Sequence, residues 1–219
     1  MSAEFSDERS EPRRLRVVVL LSGTGRTLEN LINVRASGAL AIDIVRVIST
    51  RKRVRGNDIA RAADIPLTIV PRRKSESPSQ FSEAVLAAIR QERPDLVLMA
   101  GFLSKIAISP DLVGRVMNIH PALLPMFGGQ GHYGQHVHEQ VLAAGVKVTG
   151  CTVHFVDDEY DAGPIIAQAC VPVHDDDDVD SLAARVFAQE RELYPHAIRL
   201  FAEDRLRIDG SLVRVLPPG

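Results

Sequence analysis

The sequence predicts an α/β protein: an open, mostly parallel, twisted sheet with helices on both faces and an antiparallel addition in its C-terminal part. Three observations carry this. Short apolar runs rich in β-branched residues alternate with segments of helical period from Arg16 to Ile119. Val17 to Leu21 and Leu96 to Ala100 are apolar at every position, as strands buried between two helical layers are. The chain's 219 residues are enough for one such domain with a sizeable core.

The elements follow in order. Arg16 to Leu21 (RVVVLL) reads as a buried parallel strand. Ser22-Gly23-Thr24-Gly25-Arg26-Thr27 is a tight glycine-bearing turn, after which Leu28, Leu31, Ile32 and Val34 recur at helical spacing. Ile42 to Ile48 is a second strand, Asp58 to Ala63 a helix and Leu67 to Val70 a short third strand. Pro78 or Ser79 starts a helix through Phe81, Val85, Leu86 and Ile89. Leu96 to Ala100 and Val116 to Ile119 are further strands. Helices between successive strands imply right-handed crossovers and parallel pairing.

Val137 to Ala144 is helical, with Gly145 at its C-terminal cap. Thr149 to Phe155 and Ile165 to Val173 read as an antiparallel pair joined by the Asp157–Pro164 loop. Val179 to Ala202 is a long amphipathic helix. Leu206 to Ile208 and Leu212 to Val215 form a hairpin around Asp209-Gly210-Ser211. Residues 1–14 are polar and of mixed charge, which predicts a disordered tail rather than a signal peptide, followed by a single domain over 15–219.

Composition excludes several function classes. A formal net charge of −2 gives no electrostatic case for a nucleic-acid partner. Trp is absent and aromatics are few, so a base-stacking surface is not expected. No apolar run is long enough to span a bilayer. Cys151 and Cys170 both fall in apolar strand-like runs and read as reduced core thiols of a cytoplasmic protein. The expected partners are small-molecule substrates, with no nucleic acid and no membrane, and the protein is expected as a monomer or homodimer.

The chemistry is carried by Asn118-Ile119-His120-Pro121 after one apolar run and by Asp161-Ala162-Gly163-Pro164 in the loop between two others. An amide and an imidazole can hold a developing oxyanion. An imidazole and a carboxylate can move protons. This set suits acyl transfer to an amine carried by the substrate, with no Ser or Cys nucleophile. The Gly23–Thr27 turn leads into a helix, whose N–H groups and dipole favour an anion. Three loops, Ser22–Thr27, Gly101–Ile106 and Asn118–Phe127, leave the carboxyl ends of strands, where ligands of open α/β sheets sit.

Three long motifs resemble the folate-dependent formyltransferases: Val116 to Pro125, Gly145 to Asp157 and Asp161 to Ile166. The resemblance runs from about Leu15 to Pro218. It implies a Rossmann-like fold and transfer of a formyl group from 10-formyltetrahydrofolate, a co-substrate, to the amine of 5-phosphoribosylglycinamide in purine synthesis, without a metal. It implies that Asn118, His120 and Asp161 are catalytic: the amide and imidazole hold the oxyanion, and Asp161 orients His120 or a water that takes the amine proton. It implies further that Gly25, Arg26 and Thr27 hold the ribose phosphate, that Phe187 and Glu190 reach the glycinamide, and that His154 supports the Asp161 loop. By the same resemblance, Leu103, Ser104, Lys105, Ile106, Asn118 and the run Asp157, Asp158, Glu159, Tyr160 and Asp161 are expected to line the pterin pocket. Arg26 departs from the smaller polar residue usual at its position, and Pro78 stands where relatives often place an Arg on the folate tail. The alternatives are a 10-formyltetrahydrofolate hydrolase using the same three residues, and a non-catalytic module binding a phosphate ligand.

Other clusters read more plainly. His132, His136 and His138 have a spacing that can hold zinc, but no Cys or carboxylate set completes a tetrahedral site. Asp175 to Asp178 precedes the long helix, where negative charge meets the positive end of the dipole. Arg51-Lys52-Arg53-Val54-Arg55 is a solvated basic loop.

Overall fold

A computed structural model describes residues 13–73 and 75–219. The strands are β1 (Leu15–Leu21), β2 (Ile42–Ser49), β3 (Leu67–Ile69), β4 (Leu96–Met99), β5 (Val116–His120), β6 (Val148–Phe155), β7 (Ile165–Pro172), β8 (Leu206–Asp209) and β9 (Leu212–Val215). They form one sheet in the order β3-β2-β1-β4-β5-β6-β7-β9-β8. β1 to β5 are mutually parallel, and β6 runs antiparallel to both β5 and β7. The helices are α1 (Arg26–Ala36), α2 (Arg55–Ala62), α3 (Pro78–Glu92), α4 (Gln135–Ala143) and α5 (Val179–Ala202).

The period of two along β1 explains why Val17 to Leu21 are all apolar. Val17, Val19 and Leu21 face one side, packing with Leu28 and Leu31 of α1, Ala60 of α2 and Ile198 of α5. Val18 and Leu20 face the other, against Phe81, Val85 and Ile89 of α3. Each residue is therefore covered by a helix whichever way it points. The strand order reverses beside β1, whose neighbours are β2 and β4, so the loops after β1, β4 and β5 open on one edge.

Helix ends follow their local chemistry. Ser77 and Gln80 close a capping box on α3, with Pro78 in its first turn. Asp178 and Ser181 do the same for α5. Asp177, beside it, is paired with Arg185, which pulls its carboxyl far below the usual range. The carboxylate run before α5 is thus built from a cap and an ion pair.

Some expectations change. α2 begins at Arg55 rather than Asp58, so the last residue of the basic loop is helical, where it pairs with Glu29. α4 begins at Gln135, two residues before Val137, and a one-turn 3-10 helix at Pro110–Leu112 has no hydrophobic period to announce it. Cys151 is buried, but Cys170 is exposed, contrary to its reading as a core thiol. β7 pairs with β9 only at Ile165↔Leu212, so one face of its C-terminal half looks outward. The expected tail over residues 1–14 falls, for residues 1–12, outside the described residues. Arg13 bonds Asp95 at 2.7 Å.

Candidate active site

Asn118 and His120 lie two apart on β5 and so project to the same face of the sheet. His154 lies directly across from Asn118 on β6. Asp161 arrives from the β6–β7 loop in the left-handed conformation, φ 52°. The loop is seated by Gly163, where any Cβ would run into the carbonyl of Phe155.

The polar contacts fix protonation. His120 is 4 % exposed, and its Nε2 lies 2.8 Å from the Phe127 carbonyl. A carbonyl only accepts, so Nε2 carries the hydrogen. Nδ1 is left facing Asp161 Oδ2 at 3.6 Å. Burial holds the imidazole below its ordinary pKa, against the opposing pull of Asp161. Burial alone would raise the Asp161 carboxyl, but His154, His120 and the Gly129 N–H, which donates to it at 3.0 Å, outweigh burial and draw it down. The result is a neutral imidazole beside a carboxylate. His154 donates from Nδ1 to its neighbour's carbonyl, Phe155 O, at 2.8 Å, which leaves Nε2 to accept from the Asn118 amide at 3.2 Å. The other Asn118 contact is to Asp161 Oδ1, at 3.5 Å.

Two cavities reach this cluster, and a third adjoins one of them at Leu103, Ile119 and Pro121. The largest, about 610 Å³, lies between the Gly23–Thr27 turn and α5. Gly25 caps α1 with φ 77°, and a Cβ there would lie 2.5 Å from the Gly56 Cα. No side chain caps the helix, so the first N–H groups of α1 stay open to a ligand. Arg26 stacks over the Phe187 ring at 4.2 Å, and among the described residues no carboxylate pairs with it. Glu190 is half-buried on the same wall, its carboxyl pushed up to about 7 by burial against the pull of Arg26. A middle cavity of about 350 Å³ holds Asn118, His120 and Asp161 with the Gly129–Gly134 loop. The third, a narrow 70 Å³ pocket, is bounded by Ser104, Lys105, Ile106, Asp157, Glu159 and Tyr160. Lys105 lies over the Tyr160 ring at 5.0 Å.

The structure thus brings together all three expected catalytic residues, His154 beside them, and Gly25, Arg26, Thr27, Phe187 and Glu190 in one arm. Two residues of the set expected at the pterin pocket do not line the narrow cavity. Leu103 lines the other two cavities, because its N–H is tied to Ser22 Oγ at 3.1 Å. Asp158 lines none of the three and accepts from the Ile108 N–H at 3.1 Å. Pro78 lies in the first turn of α3 and lines none of them. His132 and His136 are engaged with Gly128 O and Glu139, and among the described residues no three His, Cys, Asp or Glu side chains group to hold a metal. Sequence reasoning missed Thr152 and Gln168. Thr152 Oγ1 donates to Ala122 O and accepts from Leu124 N and Gln168 Nε2, so two neighbouring strands hold the loop that follows His120. A threonine buried in an apolar strand was the one signal for it.

Residues 15–198 match the formyl transferase family. The chain belongs to that family. It is 37 % identical over 210 residues to a chloroplastic phosphoribosylglycinamide formyltransferase of Arabidopsis thaliana, covering 94 % of this chain and 71 % of that one. Glycinamide ribonucleotide transformylase 1 from Symbiobacterium toebii superposes with a TM-score of 0.87 at 38 % identity, covering 94 % and 96 % of the two chains. A formyltetrahydrofolate deformylase from Pseudomonas syringae superposes at 0.82 with 27 % identity, and this formyl transferase covers 66 % of its length. Some relatives are much longer: the chain spans 19 % of a bovine trifunctional purine biosynthetic protein.

Proposed function

We propose that this formyl transferase moves the formyl group of 10-formyltetrahydrofolate to the amine of 5-phosphoribosylglycinamide. The observation that supports this best is the meeting of Asn118, His120 and Asp161 in the middle cavity, between the cation-bearing arm and the narrow pocket. The phosphate lies against the α1 N-terminus and Arg26, and Glu190 reaches the sugar or amine. The pterin edge enters between Ser104–Ile106 and Asp157–Asp161. The residues work as a single domain over 15–219, and both halves line the larger arm.

The amine nitrogen attacks the formyl carbon, and the carbonyl oxygen becomes an oxyanion held by the Asn118 amide, which turns to it the N–H of its long 3.5 Å contact with Asp161. His120 Nδ1, which carries no hydrogen at rest, takes the amine proton directly or through a water. The imidazolium formed is held by Asp161 and supports the oxyanion. Collapse breaks the bond to N10, and the proton passes to N10, so the amine has lost the hydrogen that the folate gains. No covalent enzyme intermediate and no metal are involved.

The test is loss of the formyl group from 10-formyltetrahydrofolate, with and without the ribonucleotide. Loss only with the amine present is expected. Equal loss without it would mark a hydrolase built on the same residues, and no loss in either case would leave a binding module.

A further inference from the structure

A chain of net charge −2 still gathers positive charge on one edge. Arg51, Lys52 and Arg53 follow β2 and Arg72 follows β3, so all four leave the carboxyl edge of the parallel strands, where the cavities open. All four are exposed, and among the described residues none has a carboxylate partner. Many cations elsewhere are paired, as Arg90 is with Asp111, Arg207 with Asp204 and Arg214 with Asp209. The carboxylates of the two neighbouring helices are already taken, Glu29 of α1 by Arg55 and Asp58 of α2 by Arg61. The charge on this edge is therefore uncompensated.

The loop after β2 is built to hold that charge outward. Asn57, 1 % exposed, donates from Nδ2 to the carbonyls of Arg51 at 2.8 Å and Lys52 at 3.1 Å. Ser49 Oγ donates to the Arg51 carbonyl at 3.0 Å. With its carbonyls tied inward, the loop presents three charged side chains to solvent. It is also pinned beside the larger arm. Thr50 Oγ1 lies 2.6 Å from Ser22 Oγ, and the Gly56 N–H donates to the Gly23 carbonyl at 3.2 Å. Yet Arg51, Lys52 and Arg53 line none of the three cavities. They stand next to the Gly23–Thr27 turn without reaching what binds there, so they act through their field and not by contact.

We propose that Arg51, Lys52 and Arg53 form a steering surface that captures the phosphate-bearing substrate and turns it toward the larger arm. This rests on the reading of that arm as the ribonucleotide side. Fixed charges attract an approaching anion over about a screening length, ~10 Å at 0.1 M salt. The ribonucleotide carries its phosphate at one end and its amine at the other, so a positive edge draws it in phosphate first. Such fields raise association rates by about 10- to 1000-fold in all.

The experiment combines Arg51→Gln, Lys52→Gln and Arg53→Gln in one variant. A control combines Arg93→Gln, Arg207→Gln and Arg214→Gln, which removes as much charge away from this edge. The 31P line shape of the ribonucleotide gives its association and dissociation rates with each protein. Salt runs from about 0.01 M to about 1 M, over which the screening length falls from ~30 Å to ~3 Å. At low salt the loop variant should associate about tenfold more slowly than wild type, with a dissociation rate within about twofold. The gap should close at high salt, and kcat at saturating substrates should not change. An unchanged association rate at low salt overturns the proposal. Faster dissociation with unchanged association also overturns it, since that marks a contact with bound substrate. Equal slowing in the control overturns the assignment to this loop and leaves net charge alone. Failure of the parent reading looks different, because the wild-type protein would then show no exchange of the ribonucleotide at any salt.

Discussion

Asp161 keeps a left-handed backbone at φ 52° while its carboxylate stays charged between two histidines. Asn tolerates that conformation as Asp does and has the same size. Asp161→Asn should therefore lower kcat by about 100-fold or more, the range for a lost acid–base partner, and move the unfolding temperature by only about 2–4 °C. Near-normal turnover in a folded Asn variant would remove Asp161 from the chemistry. His138, buried in α4 with its Nδ1 sealed and unpartnered among the described residues, makes a second prediction, on stability. An unfolded histidine takes its proton near 6.5, while in the folded protein this one waits until about 4. Between these values the unfolded state binds the extra proton, so stability falls as pH drops across the window, by on the order of 3 kcal/mol for a shift of this size. Denaturant melts from pH 7 to 4 should show that decline. The decline should be much shallower in His138→Leu; an equal slope in both proteins would count against a buried neutral ring.

At the scale of elements, the site depends on how β6 and β7 hold the loop after β5. Thr152 Oγ1 has three partners there, and Gln168 Nε2 also donates to Leu124 O. Thr152→Val keeps the shape and leaves those groups unmet, which should destabilise by about 2–3 kcal/mol. It should also lower kcat about tenfold, because a small misplacement of the loop moves the Phe127 carbonyl that fixes His120. Unchanged kcat in the folded variant would show the loop to be positioned otherwise. The strands and the α5 boundaries were legible in the sequence, because two-sided burial writes itself as unbroken apolar runs and the long helix has a marked cap. The start of α2 was not, because its first turn is polar and exposed. Of the site, Asn118, His120 and Asp161 were legible from motif and place. Thr152, Gln168 and the sealed Nδ1 of His138 were not, since hydrogen bonds between distant segments leave no periodic trace. The outward turn of Leu103 into the larger arm was hidden for the same reason, being set by its tie to Ser22.

At the scale of the molecule, Tyr194 fixes the two strands on which the cavities meet. Its hydroxyl, fully buried, lies 3.1 Å from Met99 O and 2.9 Å from Met117 O, on β4 and β5. The β8–β9 hairpin lies at the far edge, past β7, and the family match ends at residue 198, before it. Leu206 and Val213 pack on the core, but none of the three cavities touches the hairpin. Removing residues 206–219 should leave both KM values unchanged while lowering the unfolding temperature, because Leu206 and Val213 no longer cover the core. Changed KM values would show that the hairpin shapes the site.

The left-handed turn at Asp161 also shapes how this gene can drift. Among residues that such a backbone accepts readily, Asn and Gly are each one base change away from an Asp codon. Two of the one-base steps at this position therefore keep the backbone and remove the carboxylate. A duplicated copy can fall silent there without being purged as misfolded, so in any descendant of this chain the identity of residue 161 is the first place to look before activity is inferred from likeness.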